Sequence, residues 1–178
     1  MSMEFWVKSG KDAQKNSTIL EKRGATTATQ SYQIGFSSTS GGKLYCAYYL
    51  STGYFSTTTN ASTYVLNKDV WYHVVSTYKN GEGIKLFVNG SLYSYLATTP
   101  LTIRASDNIP VNIGRRRTET TKFLNGSVDE VKIYPYALTQ QQISQNYNDS
   151  KNGYSNVSKI VKEQTSIGDV WQCEVTPS

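Results

Sequence analysis

Apolar and polar residues alternate over short stretches through most of this chain. Tyr32, Ile34 and Phe36 are spaced by Gln33 and Gly35, and Leu44, Cys46, Tyr48 and Leu50 keep the same period after Gly41-Gly42. A period of two puts such residues on one face of a strand, and the Ser/Gly-rich link makes the two runs an antiparallel hairpin. Residues 70–78 form the strongest strand signal, β-branched and aromatic throughout. Asn80-Gly81-Glu82-Gly83 turns the chain into residues 84–88, and Asn89-Gly90 reverses it into residues 91–96. Strands follow at 111–113 and 126–134. Strict alternation in the last puts Val128, Glu130, Lys132 and Tyr134 on one face and Ser127, Asp129, Val131 and Ile133 on the other.

One helix is predicted. Thr139 and Gln142 stand at capping-box spacing, Ile143 and Tyr147 give one apolar stripe, and residues 148–153 end it. The pattern is therefore all-β: a two-sheet antiparallel sandwich with one short helix after the last long strand. The composition shifts near 150, so residues 1–150 read as the sandwich and 151–178 as a C-terminal extension. Within the extension, residues 169–175 read as one more strand, either the start of a following immunoglobulin-like domain or a strand donated to this one.

Composition narrows the class. Charged residues are only 17% of 178, while Ser and Thr fill 41 positions and Tyr 14. That mixture suits a secreted β-protein. No apolar run approaches the ~18 residues of a membrane span, so membrane insertion is not expected. Two cysteines, Cys46 and Cys173, allow at most one bridge and no Cys-x-x-Cys site. The start carries no leader pattern, so the chain is read as a piece of a longer secreted or cell-surface protein. Six Asn-x-Ser/Thr triplets occur where composition gives about three by chance. Asn16, Asn60, Asn148 and Asn156 are the glycosylation candidates, because Asn89 and Asn125 belong to Asn-Gly turns.

An ordered set of motifs carries a resemblance. Glu4-Phe5-Trp6-Val7-Lys8 is followed by Trp71-Tyr72-His73-Val74-Val75, Gly83 to Gly90, Asn112-Ile113-Gly114-Arg115, and Phe123 to Tyr134, closing with Ala137-Leu138-Thr139. The order resembles the laminin G-like, concanavalin A-like jelly-roll domains, over roughly residues 3–148. The resemblance implies a jelly roll, a fold that hosts lectins, adhesion modules and glucanases alike. It also implies an apolar opening strand ahead of Glu4, which these residues lack. Relatives of the pentraxin type bind calcium just after the Ile-Gly strand end. Here Arg115-Arg116-Arg117 stands there and would repel the ion. A second family site matches Gly126-Ser127-Val128-Asp129 and makes Asp129 the one calcium candidate.

No catalytic set emerges. The Glu-x-Asp-x-x-Glu strand of laminarinase-like relatives is absent, and Asp129 and Glu130, adjacent in a strand, should face opposite ways. The other acids, Glu21 among them, read as scattered. His73, the only histidine, is expected to pack inside the sandwich and bond backbone. Ligand binding is the better reading. Tyr49 and Tyr54 belong to the densest aromatic stretch, residues 45–55. Arg115, Arg116 and Arg117, with Lys122 nearby, offer an anion site partly offset by Glu119. A net charge of +5 without a nucleic-acid motif argues against nucleic acid. The expected function is a non-catalytic recognition or adhesion module for glycan or a cell-surface protein. The alternatives are a spacer or assembly subunit that self-associates through its C-terminal strand, and a carbohydrate-active enzyme.

Overall fold

The structure is a computed structural model, and it describes residues 1–12, 14–38, 41–58, 65–105 and 108–152. The strands are β1 (Ser2–Ser9), β2 (Ser17–Arg23), β3 (Gln30–Phe36), β4 (Leu44–Leu50), β5 (Gly53–Thr58), β6 (Trp71–Lys79), β7 (Gly83–Val88), β8 (Ser91–Leu96), β9 (Asn112–Ile113) and β10 (Gly126–Tyr134), and the helix is α1 (Gln140–Ser150). The first sheet runs β10-β1-β6-β7-β8 and the second β5-β4-β3-β2-β9, with antiparallel strand pairing throughout. This is the jelly-roll sandwich the alternation implied.

The core follows from the period of two. Met3, Phe5 and Val7 of β1, with Tyr72, Val74 and Tyr78 of β6, meet Ile34 and Phe36 of β3 and Leu44, Cys46, Tyr48 and Leu50 of β4 between the sheets. The buried Tyr48 hydroxyl shares a hydrogen bond of 2.9 Å with Ser76 Oγ, so its polar end is not left bare. Gly90 takes φ 78 in the tight turn joining β7 to β8, a conformation that favours glycine. Cys46 is buried and unbridged, and burial pushes its thiol up to about 12; Cys173 lies outside the described residues.

α1 lies on the outer face of the first sheet. Leu138 and Ile143 pack there on Val75 and Phe87 as a second, small core. The capping box forms as expected: Thr139 Oγ1 accepts from the Gln142 N–H (3.2 Å) and Gln142 Oε1 from the Thr139 N–H (2.8 Å).

Three expectations need correction. His73 is buried, but beneath α1 rather than between the sheets, and its ring Nε2 pairs with Glu4 Oε1 at 3.0 Å rather than with backbone. Even-numbered residues of β1 face α1, so Glu4 meets the helix, where Asn146 Nδ2 donates to its other oxygen at 2.9 Å. The strict alternation of β10 also fails. Two β10 residues oppose one residue of β1 near Glu130, a bulge in which Glu130 takes φ 48 and its N–H is held by Asp129 Oδ1 at 2.8 Å. Beyond the bulge the faces exchange, so Val128, Val131 and Ile133 share the inner side. Finally, Asp129 and Glu130 do not point apart, since both line one hollow with Trp6 and Trp71. Among the described residues no helix is long and apolar enough to cross a membrane.

Candidate functional site

The outer face of the second sheet carries a groove of about 410 Å³. Strand alternation builds it. Because Ile34 and Cys46 point into the core, Gln33, Gly35, Tyr45, Ala47 and Tyr49 point out. Tyr54 stands opposite Tyr49, Ser56 opposite Ala47, and Thr58 opposite Tyr45. Small residues thus occupy the centre, with tyrosines on either side. Gly35 faces Tyr45 across the ladder, and a Cβ there would lie 2.3 Å from the Ser17 carbonyl oxygen, so only glycine fits. The Tyr49 and Tyr54 rings are 5.1 Å apart and tilted at 55°, and the Arg23 guanidinium lies 5.9 Å from the Tyr49 ring centre. Tyr54 is half exposed and lines the groove with Tyr45, Gln33, Ser56, Asn16 and Arg116.

Arg116 is the pivot of the site. Its Nη1 donates to Glu119 Oε1 at 2.7 Å, while Nη2 reaches both Gln33 Oε1 and the Tyr45 hydroxyl at a long 3.4 Å. Lys122 Nζ takes the other oxygen of Glu119 at 2.9 Å. Hydrogen bonds from these two cations hold the Glu119 carboxyl down at about 2. Burial of the Tyr45 phenol pushes it up to about 12 despite Arg116, so it stays a neutral donor. Behind Arg116 lies Glu21, fully buried on β2. Its Oε1 accepts the Arg117 backbone N–H at 2.7 Å, but Oε2 makes no hydrogen bond and faces the equally unpartnered Arg116 Nε at 3.9 Å. Burial raises the Glu21 carboxyl, outweighing the Arg117 N–H and the nearby arginines.

The structure brings Arg116, Tyr49 and Tyr54 together. Arg115 and Arg117 are exposed and lie outside the groove lining, while Arg116 between them is paired with Glu119 and faces Glu21. Of the glycosylation candidates, Asn16 is exposed at the groove and Asn148 is exposed on α1, whereas Asn60 and Asn156 lie outside the described residues. Asp129 is exposed, with one oxygen given to the Glu130 N–H, and Glu130 is paired with Lys132 at 3.0 Å. Among the described residues no group of three His, Cys, Asp or Glu side chains gathers there. Glu21, Gln33 and Gly35 were missed as site residues by the sequence reading. The outward parity of the 32–36 run was the signal available for the last two.

A larger hollow, about 720 Å³, lies on the outer face of the first sheet between Phe87, Leu92 and Tyr136. Its charged groups are spent on one another, since Glu82 takes both Lys79 and Lys85. The smaller groove on the second sheet brings together tyrosines, an amide and a guanidinium.

Comparison with known proteins agrees with the fold. Residues 1–144 match the profile of a laminin G-type family described as the concanavalin A-like lectin/glucanases superfamily. The chain belongs to this superfamily. Among solved structures, a protein of Bacteroides ovatus assigned as carbohydrate binding is similar at 20% identity and TM-score 0.66, over 82% of this chain and 40% of that one. Domain 4 of an extracellular arabinanase of Geobacillus stearothermophilus, solved in complex with arabinotriose, is similar at 19% identity and TM-score 0.57, over 81% of this chain and 64% of that one. A human protein, adhesion G-protein coupled receptor D1, is 32% identical over 75 residues, which are 42% of this chain and 9% of the receptor. The chain thus spans less than two thirds of the length of each of these relatives.

Proposed function

We propose that this chain is a non-catalytic module that binds a neutral glycan in the groove on the outer face of the second sheet, outside the cell or at its surface. The observation that carries the reading is the groove itself: Tyr45 and Tyr54 line it with Ser56 and Thr58, and Gln33, Asn16 and Arg116 converge on it. Sugar rings offer C–H faces to aromatic rings and hydroxyls to amides and guanidinium groups, which this lining matches. Charge selects the class. Arg116 and Lys122 balance Glu119 and Glu21, so the described lining of the groove offers no free cation for a sulfate or uronate. The long 3.4 Å contacts of Arg116 to Gln33 and Tyr45 leave donor capacity for a ligand hydroxyl. The arabinotriose complex and the Bacteroides ovatus protein support a carbohydrate ligand, and the adhesion receptor supports an extracellular setting. Of the acids beside this groove, Glu119 is tied to Arg116 and Lys122 and Glu21 is fully buried, which favours binding over hydrolysis there.

A printed glycan array spanning neutral, sulfated and uronate chains tests this, followed by titration of the best neutral hit. Retention of neutral oligosaccharides is expected, with Tyr54→Ala weakening the hit about tenfold, as loss of one stacking ring should. Retention of sulfated chains alone would reject the reading. Asn16 adds a condition: a glycan attached there would stand in the groove mouth, so binding-competent protein is expected to carry Asn16 unmodified, checked by peptide mass spectrometry.

A further inference from the structure

The described residues leave one flank of the sandwich open. β5 packs over β7 and β8, so the opposite edge strands, β9 and β10, face each other across the other side. Ile113 stands opposite Leu20, and Ile133 opposite Met3. Opposed residues of an antiparallel pair point the same way, and Leu20 and Met3 are fully buried in the core. Both isoleucines therefore point into the space between the sheets, yet they are 51% and 41% exposed. Val128 and Val131, also on the inner side of β10, are only partly covered, and Phe123, bridged to Arg115 just after β9, is exposed. No described strand pairs with the outer edge of β10, which leaves a ladder of about 30 Å open.

We propose that residues 169–175, Asp-Val-Trp-Gln-Cys-Glu-Val, add to the outer edge of β10 within the same chain, with Trp171, Cys173 and Val175 covering Ile133 and Ile113. Three observations choose this occupant. The segment alternates as a half-buried strand must, apolar at 171, 173 and 175 and polar at 172 and 174. The chain leaves α1 beside this edge, because Ser150 and Lys151 line one hollow with Asp129 and Glu130 of β10. Residues 153–168 between them would reach about 55 Å if extended, which exceeds the length of β10. A tether of that length gives a local concentration well above that of a second copy. Strand addition then satisfies the open backbone groups while the side chains close the core.

Cysteine cross-linking in the full chain tests it. Cys46 is buried, so Cys173 is the available thiol. Ile133→Cys and Ile113→Cys are each oxidised mildly, with Tyr95→Cys on β8, at the far flank and 53% exposed, as the control. A disulfide to Cys173 within a monomer is expected for at least one flank position and not for position 95. Linked dimers alone, equal linkage at position 95, or no linkage at either flank position would overturn the proposal. Hydrogen exchange gives a second reading. β10 amides that point away from β1 are expected to exchange at least tenfold faster in Trp171→Asp than in the unaltered chain, while β6 amides stay unchanged and report that the variant is folded. Equal β10 rates in both would also overturn it.

Discussion

At neutral pH the Glu21 carboxylate sits fully buried on β2 with one oxygen unpartnered and its nearest cation at 3.9 Å. Burial raises its folded-state value. A raised value means that the folded chain holds the proton more tightly than the unfolded chain. The stability Glu21 contributes is thus fully present below the ordinary carboxylate range and is lost as pH rises through its folded value. Glu21→Gln keeps an acceptor for the Arg117 N–H and removes the buried charge. It is expected to raise stability at pH 7 by about 1 kcal/mol, with the gain fading toward pH 4, in paired denaturant titrations. Glu4 is the opposite case. Its burial opposes ionisation, but the His73 hydrogen bond and charge, with help from Lys132 and Tyr134, hold it below its ordinary value. That stability is present above the ordinary carboxylate range and is lost as pH falls through the lowered value. Glu4→Ala strands His73 and is expected to cost about 3–5 kcal/mol at pH 7 by the same titrations.

Elements differ in how far local residues specify them. α1 was legible because its start is local chemistry: Thr139 and Gln142 satisfy each other's backbone N–H. Thr139→Ala is expected to cost about 1 kcal/mol and to speed exchange of the first-turn amides of α1. The β3–β4 hairpin was legible from its clean alternation. β10 was read as a strand, but its bulge was not, because it depends on Asp129 capturing the next N–H and on pairing with β1, a partner more than a hundred residues away. β2 and β5 escaped because their apolar period is broken by Ser, Thr, Lys and Glu; β2 owes its burial to its neighbours, and β5 is mostly exposed or half-buried. At the site, Tyr49, Tyr54 and Arg116 were named from residue type alone. The sequence could not show that Glu119 and Glu21 neutralise Arg116, since Glu21 lies 95 positions away and meets it only through the fold.

At the scale of the whole molecule the two sheets do different work. The first sheet carries α1 on its outer face, with Glu4, His73 and Trp6 packed beneath it and the last two rings against Tyr147 of the helix. The second sheet carries the groove on its outer face, lined by Tyr45 and Tyr54. A groove built on paired strands presents a rigid surface whose shape costs little to maintain on binding. The most direct measurement of this account is an NMR titration of the labelled chain with a neutral oligosaccharide selected on the array. Saturable shifts are expected for amides of Gln33, Tyr45, Tyr54 and Ser56, with those of α1 and β7 unmoved. Shifts confined to the first sheet, or none across the neutral set at millimolar ligand, would contradict it.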